Sequence, residues 1–239
     1  MEEYAKMKLF IQRHMPDGRS LTVPCTVEVL SGKDEEFAIM LHNEVAHGLS
    51  RDIFAASTED DLKRFLGEEG LSIGARYEDR LICLRTVKTS RQWVSESLAD
   101  YNLVPGSYGK CAVTGFCVVD REFRGNNIQF LTQFYAENIV ARNFDSVVTT
   151  VSPKNIFSLQ NVLACGYLII AIEWTYGGFL RFVLKKDFYP KDPLWTHGHL
   201  RIPIREIKKQ QDAISKGNAG YKIVRGPRGF SILYGRVGP

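Results

Sequence analysis

The sequence predicts an α/β fold, of the α+β kind, in which helices flank a mixed central sheet. Two observations carry this prediction. Apolar residues alternate with the period of a strand in some segments and recur with the period of a helix in others. Between residues 111 and 151, strand-like, helix-like and strand-like segments follow one another, which is the pattern of a βαβ unit. An N-terminal hairpin and a C-terminal extension complete the expected architecture.

The first half of the chain divides into a hairpin, two helices and two strands. Residues 8–29 predict the hairpin, because Pro-Asp-Gly separates two extended stretches. Residues 31–47 and 57–66 predict helices, each with acidic residues in the first turn, where they favour the helix dipole. Residues 71–77 and 80–87 alternate with the strand period and predict two strands.

The second half begins with an irregular segment, 89–110, for which both a loop and a short helix stay open. Residues 111–119 are apolar and rich in small or β-branched side chains, so we expect a buried strand. The apolar spacing then predicts a helix over 124–142 and a strand over 145–151.

The helix predicted over 154–165 has a marked start and end. Ser152 is the expected N-cap, and Pro153 takes the first turn, where its missing N–H costs nothing. Gly166 stands where a left-handed C-terminal cap is expected. Residues 167–185 then predict two strands joined by a Tyr-Gly-Gly turn.

Residues 1–187 are therefore expected to form one domain, with residues 188–239 as a C-terminal appendage packed on it. The appendage begins with a stretch punctuated by prolines and continues with a polar helix over 204–215. It ends in a hairpin that turns at Gly-Pro-Arg-Gly, residues 226–229.

Composition limits the classes of function. The chain has 31 basic and 27 acidic residues, a formal charge of +4, so no dominant polyanion-binding field follows. Its five cysteines lie at wide spacings without a CxxC pair, which is typical of reduced thiols and gives no zinc framework. No apolar signal core opens the sequence, and no run approaches the roughly 20 apolar residues of a membrane span. We therefore expect a cytoplasmic protein with no metal and no membrane partner.

The segment from Val118 to Gln129 carries the most chemical information. An apolar strand ends at Val119, a polar turn follows, and Arg124 and Gly125 are predicted to open a helix. The first N–H groups of a helix lack partners and lie at the positive end of its dipole, so they can hold a phosphate. A glycine there lets the backbone approach such a ligand closely.

This segment resembles the motif of GNAT N-acetyltransferases in which Arg-x-x-Gly-x-Gly/Ala opens the helix under the pyrophosphate of coenzyme A. Arg124 and Gly125 match its start, whereas Asn127 and Gln129 stand where small residues are usual. A second match follows: Asn155-Ile156-Phe157-Ser158 and then Cys165-Gly166-Tyr167 resemble the family's Asn-x-x-Ala/Ser helix and the Gly-Phe start of its next strand. The resemblance covers mainly residues 111–186.

The resemblance implies a GNAT-like fold that uses acetyl-CoA as a co-substrate. In the family, the asparagine of the second motif commonly binds the pantetheine arm, and backbone N–H groups of the motif strand meet the thioester oxygen. The residues expected to hold acetyl-CoA are Cys117, Val118, Val119, Arg124, Gly125, Asn126, Asn127, Ile128, Gln129, Asn155 and Ser158.

The catalytic side chains stay unassigned. Where many family members carry a tyrosine that protonates the leaving thiolate, this chain has Val162, and Tyr167 is expected to pack. Cys117 is also expected to pack, because its neighbours in sequence are apolar and no basic group is evident beside it. Several residues stay open as a general base or as part of the acceptor cleft: Glu28, Glu78, Asp79, Glu96, Glu173, Tyr101, Tyr108, His42 and His47, with His197 and His199 in the appendage.

The favoured function is transfer of an acetyl group from acetyl-CoA to an amine, on a small molecule or a peptide, by direct attack in a ternary complex. A homodimer is compatible with this function, and nucleic acid is not an expected partner. Two alternatives stay open. The chain could be a CoA-binding regulatory module without turnover, or a nucleic-acid-associated protein that uses its basic C-terminus.

Overall fold

A computed structural model of the protein describes residues 6–104, 106–189, 199–227 and 229–236. The chain divides into two compact units, which we treat separately. The first comprises Met1–Val94 and Thr114–Arg142, and the second comprises Ser95–Val113 and Asn143–Pro239.

Strands and helices are numbered in chain order. The strands are β1 (Met7–His14), β2 (Ser20–Val29), β3 (Gly70–Tyr77), β4 (Arg80–Lys88), β5 (Cys111–Val119), β6 (Ser146–Val151), β7 (Leu168–Thr175), β8 (Phe179–Asp187), β9 (Leu200–Pro203), β10 (Asn218–Gly226) and β11 (Gly229–Arg236). The α-helices are α1 (Glu35–His47), α2 (Glu59–Leu66), α3 (Arg91–Asp100), α4 (Ile128–Val140), α5 (Ile156–Ala164) and α6 (Ile207–Ser215).

The first unit is built on the strand order β1-β2-β3-β4-β5, in which β1 to β4 pair antiparallel. Ser31 and Asp34 form a capping box around the 3₁₀ turn that precedes α1. Thr58 caps α2 by accepting a hydrogen bond from Asp61 N at 3.1 Å. The apolar faces of α1 and α2 meet β4 and β5 in a core around Phe65 and Phe116. Burial of each such side chain contributes about 1.5–3 kcal/mol.

The second unit contains the parallel step of the sheet. β5 pairs parallel with β6 from Cys111↔Ser146 to Val113↔Val148. β6 then pairs antiparallel with β8, and β8 with β7. The C-terminal strands continue the sheet, because β10 pairs with β7 at Gly220↔Ile169 and is followed in order by β11 and β9. The sheet is therefore mixed, as the sequence predicts.

The element order predicted from the sequence is confirmed throughout the GNAT-like region. The irregular segment 89–110 contains the short helix α3, which decides between the two possibilities left open there. In the predicted appendage, α6 and the hairpin of β10 and β11 are present, and the short strand β9 was not predicted. The domain boundary at residues 187 and 188 stays a prediction.

The predicted start of α4 and the predicted N-cap of α5 are wrong. α4 begins at Ile128 rather than Arg124, because Gly125 and Asn127 both have left-handed backbone conformations, with φ of +82° and +56°, which a helix cannot include. α5 begins at Ile156, and its N-cap is Asn155 rather than Ser152. Ser152 instead accepts a bond from Lys154 N at 3.2 Å, in the turn that precedes the helix.

Candidate functional site

A tight turn connects the end of β5 to the start of α4 in the first unit. Asp120 Oδ1 accepts a hydrogen bond from Glu122 N at 2.9 Å and caps a single 3₁₀ turn, Arg121–Phe123. The left-handed residues Gly125 and Asn127 then redirect the chain into α4. We call residues 120–127 the β5–α4 loop.

Strand β1 fixes the conformation of this loop. Gln12 N donates to Asn126 Oδ1, and Asn126 Nδ2 donates to Gln12 O, both at 2.7 Å. Asn126 Nδ2 also donates to Phe123 O at 3.0 Å, and His14 Nε2 lies 3.1 Å from Arg124 O. The amide of Asn126, predicted as a cofactor ligand, is thus used to join the loop to β1, which leaves its backbone N–H for a ligand.

The loop presents unused hydrogen-bond donors. Within the described residues, the N–H groups of residues 125–128 have no hydrogen-bond acceptor. The first turn of α4 is also held from beneath, since the buried Arg85 donates from Nη2 to the carbonyl oxygen of Gln129 at 2.7 Å and from Nε to Thr132 Oγ1 at 3.2 Å. A row of free N–H groups at the start of a supported helix is suited to an anion.

The charges of the loop also favour an anion. Its carboxylates are occupied: Asp120 pairs with Arg80, and Glu122 pairs with Arg13 at 2.8 Å and with Arg80 at 3.5 Å. Two cations of the loop remain without such a partner. Within the described part of the chain, no carboxylate contacts Arg121 or Arg124, and both side chains are exposed.

Cys117 lies in a more polar environment than its neighbours in sequence indicate. Its Sγ is 3.7 Å from Cys83 Sγ and 4.0 Å from Thr132 Oγ1. The contact with the Cys83 thiol and the charge of Arg85 lower the pKa of Cys117. The expectation that no basic group lies beside Cys117 is therefore wrong, because Arg85 lies on the neighbouring strand β4. The pairing of β4 with β5 cannot be predicted from local sequence.

In the second unit, the amide of Asn155 caps α5. Its Oδ1 accepts a hydrogen bond from Ser158 N at 3.2 Å, so two predicted cofactor ligands are bonded to each other. This leaves Asn155 Nδ2 as the group that could meet a ligand. Val162 and Tyr167 are both buried, which agrees with the packing role expected of Tyr167.

The second unit also contains a chain of three hydroxyl groups. Tyr176 Oη donates to Tyr101 Oη at 3.0 Å and lies 2.9 Å from Thr150 Oγ1. Burial raises the pKa of Tyr101 well above its ordinary value, so that Tyr101 stays protonated. Tyr101 was an open candidate, but Tyr176 was not, because it lies in the turn between β7 and β8 and only the folded strands bring it to Thr150.

The other candidates divide into paired and exposed residues. Glu28 pairs with Arg76 at 2.9 Å, and Glu173 accepts from Asn102 Nδ2 at 2.9 Å. Burial raises the pKa of Tyr108, which lies under Lys185. The exposed candidates are Glu78, Asp79, Glu96, His47 and His199. His197 lies outside the described residues.

His42 is a buried residue, not one of the helix surface. It is 1% exposed, its Nε2 accepts from Ser57 N at 3.2 Å, and its ring packs against Phe54 and Phe116. Burial lowers its pKa, which favours the neutral ring. His42 therefore fills the core between α1 and β5.

Within the described residues, no helix is long and apolar enough to cross a membrane, and no group of three or more His, Cys, Asp or Glu side chains is arranged to hold a metal.

Comparison with known proteins identifies the fold. No protein-family model matches the sequence, and no curated protein is significantly similar to it in sequence. Solved structures do match. An N-acetyltransferase from Staphylococcus aureus Mu50 is 15% identical, with a TM-score of 0.53 over 68% of this chain and 97% of that one. The GNAT domain of S. lividans PAT is 14% identical, with a TM-score of 0.50 over 75% and 97%.

A third match is the ribosomal-protein-S18-alanine N-acetyltransferase from Escherichia coli. It is 12% identical, with a TM-score of 0.52 over 72% of this chain and 99% of that one. Nearly the whole of each solved chain is matched, while about a quarter to a third of the present chain is not. At these identities the likeness concerns the fold, and the protein has the fold of the GNAT N-acetyltransferases.

Proposed function

We propose that this protein is an N-acyltransferase that moves an acetyl group from acetyl-CoA to an amine. The fold supports acyl transfer in general, and one observation supports the co-substrate. Over the described residues, the β5–α4 loop and the start of α4 combine free N–H groups at residues 125–128 with two arginines, Arg121 and Arg124, that have no carboxylate partner. Such a combination suits the pyrophosphate of coenzyme A, since donors and charges act on the same oxygen atoms.

In this proposal, Arg124 and residues 125–129 hold the pyrophosphate, and the backbone of residues 117–119 meets the thioester. Arg124 is oriented by its bond from Nε to Val119 O at 3.1 Å, which leaves its outer nitrogen atoms for the phosphate. Asn155 Nδ2 is assigned to the pantetheine arm. N–H donors near a carbonyl that becomes an oxyanion stabilise the transition state more than the substrate.

The acceptor must lose a proton during the reaction. A lysine-like amine with a pKa near 10.4 is neutral in only about one molecule in 2,500 at pH 7. Direct attack in a ternary complex therefore requires a site that selects the neutral amine or a base that removes its proton. We propose an amine on a small molecule or peptide as the acceptor, and a cytoplasmic setting for the reaction.

The leaving thiolate of coenzyme A must in turn gain a proton or leave as the anion. Val162 cannot supply this proton, and we propose that Tyr176 does, because its side chain is exposed and its hydroxyl is hydrogen-bonded to those of Tyr101 and Thr150. Hydroxyl groups both donate and accept hydrogen bonds, so these two could return a proton to Tyr176.

The test is release of coenzyme A thiol from acetyl-CoA across pools of small-molecule and peptide amines, with spontaneous hydrolysis subtracted. Release above hydrolysis with at least one pool supports the transferase. Tight binding of coenzyme A without release from any pool would instead identify a binding module without turnover. Absence of coenzyme A binding would reject both.

A further inference from the structure

The C-terminal part of the second unit forms an open cavity that the proposed acyl transfer does not use. Its volume is about 520 Å³, and it lies between β9, the β10–β11 turn and the first turn of α6. Small-molecule sites in proteins are typically about 300–1,000 Å³. The cavity, which we call the C-terminal cavity, is therefore large enough for a ligand of metabolite size.

Basic side chains dominate the polar lining of the C-terminal cavity. Arg201, Arg205 and Lys209 contribute cations, and Glu206 contributes a carboxylate, which contacts Lys209 Nζ. Over the residues that the structure describes, neither Arg201 nor Arg205 has a carboxylate partner. Two guanidinium groups therefore border one cavity without a carboxylate partner, since the carboxylate of Glu206 contacts Lys209 instead.

The guanidinium of Arg201 lies close to the backbone at Gly226. A side chain at Gly226 would place its Cβ against Arg201 Nη2, so the guanidinium lies directly over this glycine. The φ angle of Gly226 is outside the left-handed region, so backbone conformation does not require glycine here. An alanine at this position would displace only the end of the Arg201 side chain, so Gly226→Ala tests the position of the guanidinium without straining the backbone.

The start of α6 adds to the positive potential of the C-terminal cavity. Arg205 and Glu206 precede the helix, Lys209 lies in its first turn, and the helix dipole is positive at this end. Guanidinium groups bind phosphate in a bidentate manner, with two parallel N–H donors each. The cavity is larger than a bare phosphate ion, so it has room for an organic group beside a phosphate.

We propose that the C-terminal cavity binds a small phosphorylated molecule, with the phosphate held by Arg201 and Arg205. Nucleic acid is the less favourable occupant, because the two arginines face a concave space rather than an extended groove along which a phosphate backbone could run. The site is separate from the β5–α4 loop and does not depend on the proposed transferase activity.

The test is binding of inorganic pyrophosphate to the full chain by calorimetry at low ionic strength. The β5–α4 loop is removed as a competitor by the Arg121→Gln/Arg124→Gln variant, in which binding to the C-terminal cavity should persist. The Arg201→Gln/Arg205→Gln variant should weaken that remaining binding by about 100-fold, since each charge-assisted contact contributes about tenfold or more. Gly226→Ala, which displaces the Arg201 guanidinium, should weaken it about tenfold.

The matched control is Lys208→Gln/Lys216→Gln, which removes two charges from the ends of the same helix without touching the lining. It should leave pyrophosphate binding within about twofold. If the control and the arginine variant lose equal affinity for pyrophosphate, net charge alone explains the binding, and the proposed site is overturned. Loss of all binding in the loop variant would also overturn it. Tighter binding of an oligoribonucleotide than of pyrophosphate, with a steep dependence on salt, would assign the arginines to nucleic acid instead.

Discussion

Gly125 has a φ of +82°, and its position on the β5–α4 loop is open, since the nearest atom to an added Cβ would be His14 Nε2 at 3.9 Å. Gly125→Trp should therefore fold, with a backbone strain of about 1–2 kcal/mol. Its indole would cover the N–H groups proposed for the pyrophosphate. We expect the affinity for coenzyme A, measured by calorimetry, to fall more than about tenfold.

Gly18 provides the control for this substitution. It has a φ of +84° with open space around it, in the turn between β1 and β2. Gly18→Trp should cause a similar shift in Tm and leave the affinity for coenzyme A unchanged. A folded Gly125→Trp protein with native affinity would sink the pyrophosphate assignment.

Asn126 acts through the conformation of the loop. Asn126→Ala removes both hydrogen bonds to Gln12 and the bond to Phe123 O. Each such bond contributes about 0.5–1.5 kcal/mol. We expect coenzyme A to bind several-fold more weakly and the hydrogen-bonded amides of residues 122–124 to exchange hydrogen faster.

Gln12→Ala is the matched control, because Asn126 holds the backbone of Gln12 and not its side chain. Among the residues that the structure describes, the Gln12 side chain has one hydrogen-bond partner, Thr22 Oγ1, to which it donates at 2.8 Å. Its removal should leave coenzyme A binding and the exchange rates of the loop unchanged. Equal effects of the two substitutions would show that β1 supports the loop in some other way.

At the scale of elements, Asn155 caps α5 and is also proposed to bind pantetheine, and two substitutions can distinguish these roles. Asn155→Ala should destabilise the protein by about 1 kcal/mol through loss of the N-cap, seen as a lower Tm. Asn155→Asp keeps the capping oxygen but replaces Nδ2 by a second carboxylate oxygen. If Nδ2 binds pantetheine, Asn155→Asp should retain Tm and bind coenzyme A about tenfold more weakly. Native affinity in Asn155→Asp would remove this residue from the cofactor site.

The turn between β7 and β8 allows a test of proton transfer. Tyr176→Phe deletes the hydroxyl that joins Tyr101 to Thr150 and keeps the ring. General acid catalysis contributes about 10²–10⁴-fold, so kcat should fall by at least about 10²-fold with KM nearly unchanged. Tyr189→Phe, at an exposed tyrosine of the same unit, is the control. An unaltered kcat in Tyr176→Phe would mean that the thiolate leaves without this hydroxyl.

Helix and strand types follow from the sequence because apolar periodicity is a local property. The starts of α4 and α5 do not follow from the sequence. They depend on a left-handed residue at 127 and on the choice between Ser152 and Asn155 as the cap, and both depend on which carbonyl and N–H groups the fold leaves unsatisfied. The contacts of the candidate site also depend on strand order and cannot be predicted from local sequence. Arg85 beside Cys117, Gln12 beside Asn126 and Tyr176 beside Thr150 are pairs distant in sequence, and only the assembled sheet brings them together.

At the scale of the whole molecule, buried groups held in their neutral form shape the dependence of stability on pH. Burial lowers the pKa of His42 from 6.5, so below that pH the unfolded chain binds a proton that the folded chain resists. Burial raises the pKa of Cys25 from 9.0 to about 11, so between these values the unfolded chain loses a proton that the folded chain keeps. The free energy of unfolding should therefore fall on both sides of a plateau.

The two arms can be separated by urea unfolding at a series of pH values. His42→Gln keeps a hydrogen-bond acceptor for Ser57 N and should flatten the acid arm only. Cys25→Ala should be less stable at neutral pH because it loses buried volume. It should also flatten the alkaline arm by up to about 3 kcal/mol near pH 11, since one pKa unit corresponds to about 1.4 kcal/mol. Part of that arm should remain, since burial also raises the pKa of Cys111 and of Tyr101. Each variant serves as the control for the other, and an acid arm unchanged in His42→Gln would assign that loss of stability to groups other than the buried histidine.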